Sequence, residues 1–143
     1  MWHRRALCSL VILAALLQGS CGAMPSMGGT NTLVSLLTNQ LGVTSNQATG
    51  GVGSILSLAK ERLPAMDFTA LTQLIPGAES FMKSAKDLGA VTGPVGDRTG
   101  LTAAFSRLGM GSDMVPKFTQ TLSDFVGKAG GQPASNLVTQ AVQ

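Results

Sequence analysis

The side chains best suited to reactive chemistry stand together at the start of the chain. His3 is the sole imidazole, and Cys8 and Cys21 are the only thiols. Imidazole is the commonest general base near neutral pH and the commonest ligand for zinc and copper. Without it in the folded domain, Ser-His-Asp and Cys-His arrangements are excluded. The seven carboxylates, Glu61, Asp67, Glu79, Asp87, Asp97, Asp113 and Asp124, are spread singly along the chain. A paired-carboxylate hydrolase needs two acids across one cleft, and a calcium loop needs several oxygen ligands at short fixed spacing. Neither pattern is present, so each acid reads as a helix cap or a solvated side chain. The cluster Gly50-Gly51-Val52-Gly53-Ser54 lacks the lysine and the preceding strand of a phosphate loop; the next lysine is Lys60. Gly53 and Ser57, four apart, fit close helix packing instead. The methionines, among them Met24, Met27, Met110 and Met114, read as core filling and a pliable start rather than a copper(I) site. No metal or cofactor is expected.

Whether His3 and the thiols belong to the mature protein depends on the first residues. A basic start, Met1-Trp2-His3-Arg4-Arg5, precedes an apolar block from Ala6 to Leu17 and a small, polar exit, Gln18-Gly19-Ser20-Cys21-Gly22-Ala23. These are the three parts of a secretory signal peptide, read here over residues 1–22. The apolar block is too short for a bilayer span, which takes roughly 20 residues. Cys21 also stands where a lipid-modified cysteine begins a mature lipoprotein, with small Gly19 and Ser20 before it but Gln18 where an aliphatic residue is usual. Cleavage before Cys21, after Gly22 and after Ala23 all stay open. Loss of Arg4 and Arg5 from the ten basic residues leaves eight against seven acidic, which lowers the net charge from +3 to +1. His3, Trp2 and Cys8 leave as well, and at most Cys21 stays. A nearly neutral chain with no basic run longer than Lys60-Glu61-Arg62 is no nucleic-acid binder.

The elements that must position anything else are helical throughout. Residues 23–30 lack periodicity and read as a flexible tether. Leu33, Val34, Leu37 and Leu41 form a stripe stopped by Gly42. Thr44 and Gln47 make a capping box opening a helix with Ala48, Val52, Ile55, Leu56, Ala59 and Leu63 on one face, ending before Pro64. Asp67 is the expected cap of a short helix with Phe68, Leu71, Leu74 and Ile75 inward, closed at Pro76. Ala78, Phe81, Met82, Ala85 and Leu88 make the next stripe. Residues 89–100, rich in glycine, read as a linker between halves. Leu101, Ala104, Phe105 and Leu108 follow, stopped by Gly109. Ser112 or Asp113 is expected to cap a helix carrying Val115, Phe118, Leu122, Phe125 and Val126, with Pro116 in its first turn. Gly127, Gly130 and Gly131 are expected to end it, and Pro133 to open a last helix with Leu137, Val138, Ala141 and Val142.

A slide of 67 residues sets Val34 on Leu101, Leu41-Gly42-Val43 on Leu108-Gly109-Met110, Ile55 on Leu122, Leu58 on Phe125 and Thr72-Gln73 on Thr139-Gln140. The expectation is an all-α compact bundle of about six to seven short helices over residues 31–143. Its two halves form degenerate repeats packed on one core. Leu36-Leu37-Thr38-Asn39-Gln40-Leu41-Gly42-Val43, Gln47-Ala48-Thr49-Gly50-Gly51-Val52-Gly53, Ile75-Pro76-Gly77-Ala78, Leu108-Gly109-Met110 and Met114-Val115-Pro116-Lys117-Phe118 together resemble the bacterial VcgC/VcgE family, a domain of unknown function (DUF2780-like), across residues 31–143. That resemblance implies a small exported bacterial protein and supplies no activity or catalytic residue.

The functional expectation is a non-enzymatic exported protein of the periplasm or cell envelope that binds a protein or lipid partner. Membrane association then arises only through a lipidated Cys21, as an outer-membrane lipoprotein; free secretion is the other destination. A second expectation is a carrier holding a small apolar ligand between helices lined by Phe68, Phe81, Phe105, Phe118 and Phe125. A hydrolase built on carboxylates or a lone serine is a third.

Overall fold

The computed structural model describes residues 29–143. The signal peptide read over 1–22, Cys21 with it, and most of the tether lie outside the described residues. Six helices make up the described chain: α1 (Gly29–Leu41), α2 (Ser45–Arg62), α3 (Ala65–Leu74), α4 (Ala78–Asp87), α5 (Arg98–Arg107) and α6 (Met114–Val142). α1 begins inside the segment read as tether, so its last two residues are helical.

α2 is the axis of the bundle. Its capping box forms as its sequence dictates: the Gln47 amide donates to Thr44 Oγ1 at 3.2 Å, and the Thr44 amide donates to Gln47 Oε1 at 3.0 Å. Gln47 Nε2 also donates to Leu108 O at 3.1 Å, satisfying a carbonyl that the end of α5 leaves without a helical partner. Every residue from Gly50 to Ala59 is buried. The sequence predicts one apolar face, but α2 is covered all round, since α1, α3, α4, α5 and α6 all pack against it. Small residues make this feasible. A Cβ on Gly50 would meet Leu108 Cδ2 at 2.7 Å, one on Gly51 would meet Phe118 Cε1 at 2.6 Å, and one on Gly53 would run into the carbonyl of Phe81. Ser54 and Ser57 are buried without polar penalty because each hydroxyl donates to a carbonyl one turn back, Gly50 O and Gly53 O, both at 2.8 Å.

The 67-residue offset recurs in the folded chain. Gly42 and Gly109 both stop their helices with φ near +70° (66° and 75°). Ala48 and Val115, Ser54 and Thr121, Ile55 and Leu122, Ala59 and Val126, Leu71 and Val138, and Ile75 and Val142 are buried pairs at that offset. α1 packs on α2 and α6, and α5 packs on α6 and α2, so each half's first helix bridges both long helices. Gly51 and Phe118, equivalent in this register, face each other where α2 meets α6. The Phe118 ring fills the room that Gly51 leaves and sits edge-on to Phe105, with ring centroids 5.1 Å apart. Phe81, Phe105 and Phe118 are fully buried, while Phe68 and Phe125 pack against the same core from its edge.

Three sequence expectations fail and a fourth, the cap of α6, holds in position only, each for an identifiable reason. Asp67 is no cap: Pro64 takes the N-cap position of α3, and Asp67 falls in its first turn, where a carboxylate still suits the helix dipole. Neither Ser112 nor Asp113 caps α6 with its side chain. Asp113 occupies the cap position in helical geometry, and its carboxylate accepts from Lys117 Nζ at 3.0 Å. That hydrogen bond and the lysine's charge hold the Asp113 carboxyl below the usual aspartate range. Gly127 and Gly130 do not end α6; only Gly131, with φ 75° and ψ −171°, breaks it into two arms, the second opened by Pro133. A Cβ on Gly130 would run into Leu74 of α3, and one on Gly127 would sit 3.4 Å from Ser135 Cβ on the returning arm. These glycines serve packing, not termination. Lastly, residues 89–100 are not a loose linker. Ala90, Val91 and Val95 are buried, and α5 starts at Arg98, with Asp97 Oδ1 accepting from the Gly100 amide at 2.8 Å.

Candidate binding groove

The packed segment between α4 and α5, residues 88–97, forms a strap over the C-terminal ends of α2 and α4. Several bonds staple it down. The Ala90 and Val91 amides donate to Ala85 O at 2.9 and 3.1 Å, and Arg107 Nη1 donates to Ala90 O at 3.1 Å. At the far end the Glu61 carboxylate accepts from the Val95 amide at 2.9 Å and from the Gly96 amide at 2.7 Å. Charge-assisted bonds of this kind are about twice as strong as neutral ones. Between the two anchorages Thr92, Gly93 and Pro94 stand exposed.

A half-open groove of about 1100 Å³ lies under this strap. α2 contributes Ser57, Lys60 and Glu61; α4 contributes Glu79, Met82, Lys83 and Lys86; the strap contributes Val91, Thr92, Gly93 and Pro94. Gly53 sets its floor by letting the α4 backbone close on α2 at Phe81. On α4, Glu79, Lys83 and Lys86 follow i, i+4, i+7 spacing and share one face. Among the described residues Lys60 and Lys86 enter no ion pair, and Lys83 pairs with Asp87 at 2.7 Å while remaining 77 % exposed. Glu61 is engaged by backbone amides, which leaves Glu79 as the only groove carboxylate without a hydrogen-bond partner. The groove thus presents three ammonium groups over a partly apolar floor of Met82, Val91 and Pro94.

Its charged lining is three lysines and two glutamates, with Lys83 also paired to Asp87. The Ser57 hydroxyl is committed to Gly53 O, with neither an imidazole nor a carboxylate bonded to it. Among the described residues no three of His, Cys, Asp and Glu come together to hold a metal ion, and no helix is long and apolar enough to cross a membrane. The five phenylalanines of the carrier expectation divide: Phe125 lines a smaller groove of about 420 Å³ between α1 and α6, Phe68 packs against the edge of the core, and Phe81, Phe105 and Phe118 are buried within it. The six carboxylates other than Glu61 are placed singly on caps and exposed faces, except for the pairs Lys83–Asp87 and Lys117–Asp113. Cys21 lies outside the described residues.

Sequence reasoning missed the groove. Lys60 sits on α2, 23 positions before Lys83 on α4, and only the α4 spacing of Glu79, Lys83 and Lys86 was visible locally. A second signal was the charge distribution: no Asp, Glu, Lys or Arg occurs between Arg5 and Lys60 or after Lys128. Charge is thereby concentrated on the segments that build the groove and on α5 and the first arm of α6.

No curated protein and no solved structure matches the chain significantly. Residues 18–143 match the profile of the family described as "Protein of unknown function VcgC/VcgE (DUF2780)", and the chain belongs to that family.

Proposed function

We propose that the chain is an exported, non-enzymatic module of the cell envelope that docks an acidic segment of a partner protein in the groove between α2, α4 and the strap. The observation that carries this reading is the convergence of Lys60, Lys83 and Lys86 on one concavity, where one of the two lining acids, Glu61, is tied up by amides. Concavity favours a protein segment over a lipid partner, since a flat bilayer surface cannot enter a recess beneath a strap, whereas a peptide can. The leader supports export, and Cys21 supplies the alternative of a lipid-anchored form. Intact mass of protein recovered from cells separates the two: an N-terminal Cys21 heavier by three acyl chains marks the anchored form, and a plain chain beginning at Gly22, Ala23 or Met24 rules it out.

The docking reading is tested in cells. With a photo-crosslinking residue in place of Thr92 at the groove rim, irradiation yields a discrete protein adduct. The same residue in place of Thr69, exposed on α3 and away from the groove, yields none. Equal adducts from both positions, or lipid adducts from Thr92, contradict the proposal.

A further inference from the structure

The strap, residues 88–97, doubles back along α5. Arg107 at the end of that helix donates to Ala90 O at 3.1 Å, and a Cβ on Gly100 near its start would run into the carbonyl of Val95. The other wall is α2, whose Glu61 accepts from the Val95 and Gly96 amides. The seam where α5 packs on α2 is thus filled by the chain that leads into α5, and Ala90, Val91 and Val95 are buried. The 67-residue offset carries this seam onto the groove of about 420 Å³ between α1 and α6. Arg107 corresponds to Gln40, Glu61 to Lys128 and Leu58 to Phe125, and Gln40, Lys128 and Phe125 all line that groove. The strap corresponds to residues 21–30, the stretch that leads into α1.

We infer that the α1–α6 groove is the docking site for residues 23–28 of this chain, laid back along α1 as the strap is laid along α5. Length allows it. Thr32 and Gln40, at the two ends of the α1 wall, span about 12 Å of helix, whereas extended residues 24–28 reach about 16 Å. In this register α1 starts earlier than α5, at Gly29 against Arg98, so the reversal falls on Gly28, which has no Cβ to resist it. Leu36 and Phe125, both half-buried, present an apolar wall to Met24, which stands at the position of buried Val91. Gln40 donates to a carbonyl of the returning segment as Arg107 does to Ala90, and Lys128, a donor where Glu61 is an acceptor, takes another carbonyl. A segment tethered this close acts at an effective concentration on the order of millimolar, so these few contacts suffice where a free peptide or a second copy would need many more.

The test is made in cells, with the full chain carrying a photo-crosslinking residue in place of Met24. Irradiation should join residue 24 to a peptide of α1 or of the first arm of α6 within one chain, read by mass spectrometry of the monomer band. Gln40→Glu, a change at an exposed side chain that leaves a carboxylate unable to donate, should lower that intrachain product several-fold. Residue 24 precedes α1 whether or not the leader has been removed, so the outcome is independent of export and of the reading of the α2–α4 groove. Three results would overturn the inference: crosslinking of residue 24 to a second copy, another protein or lipid in place of the intrachain product, no product at all, or a product undiminished by Gln40→Glu.

Discussion

Gly53→Ala destabilises the fold by at least about 3 kcal/mol, read as a lower urea midpoint at unchanged slope. The added methyl runs into the carbonyl of Phe81 and lies 2.8 Å from Ala85 Cβ, so α4 must move as a body. The obstacle is backbone of a packed helix rather than the swinging end of a side chain, which separates this site from ordinary overpacking. Alanine's helical advantage over glycine, about 1 kcal/mol, offsets only part of the clash. Gly93→Ala is the control, since a Cβ there meets nothing within 4 Å and the residue sits on the exposed strap. It should leave the midpoint in place. The same displacement of α4 would widen the groove, so Gly53→Ala couples stability to partner docking. An unchanged midpoint would mean that α4 does not lie on α2 as described.

The second large effect is the coupling of Gly51 with Phe118. Phe118→Ala removes a fully buried ring that meets Phe105 edge-on and should cost about 3–5 kcal/mol. Gly51→Ala alone places a methyl 2.6 Å from Phe118 Cε1 and should cost about 1–3 kcal/mol before the helical gain of alanine is counted. Leucine at 118 lacks the Cε and Cζ atoms that create the clash. Gly51→Ala combined with Phe118→Leu should therefore cost less than the two single changes added, by about 1 kcal/mol or more. Strict additivity in the double-mutant cycle would deny the contact between the two equivalent positions, and with it the pairing of the two halves.

Helix boundaries were legible wherever a local signal decided them. The Thr44–Gln47 capping box depends only on residues three apart, and Gly42, Gly89 and Gly109 stop helices because a positive φ is strained for any residue with a Cβ. Asp67 and Asp113 misled because a carboxylate before an apolar run suits a cap, a first-turn dipole contact or an i, i+4 ion pair equally well. Gly127 and Gly130 misled because their reason is tertiary: Leu74 from α3 occupies the space beside one, and the returning arm the space beside the other. The same holds for α2. Its glycines and serines look like interruptions of an amphipathic helix, yet they are what permits five helices to cover it.

The groove was hidden for a related cause. Lys60 looked like part of a solvated charge run, and residues 89–100 looked like a linker because glycines outnumber apolar residues there. Val91 and Val95 are few, but each is buried, and Glu61 fixes the strap through two amides that carry no sequence signature. The α4 face of Glu79, Lys83 and Lys86 was the one fragment readable in advance.

The claim that three lysines recruit an acidic partner segment is tested most directly by combining the Thr92 crosslinker with Lys60→Glu, Lys83→Glu and Lys86→Glu in the full chain, in cells. All three side chains are exposed, so the fold should be retained and far-ultraviolet circular dichroism unchanged. The protein adduct should fall at least tenfold, since reversed charges repel an acidic segment where the native ones attract it. Reversal of Lys117 and Lys128, outside the groove, should leave the adduct intact. An adduct that survives the triple reversal undiminished would contradict recruitment by the three lysines.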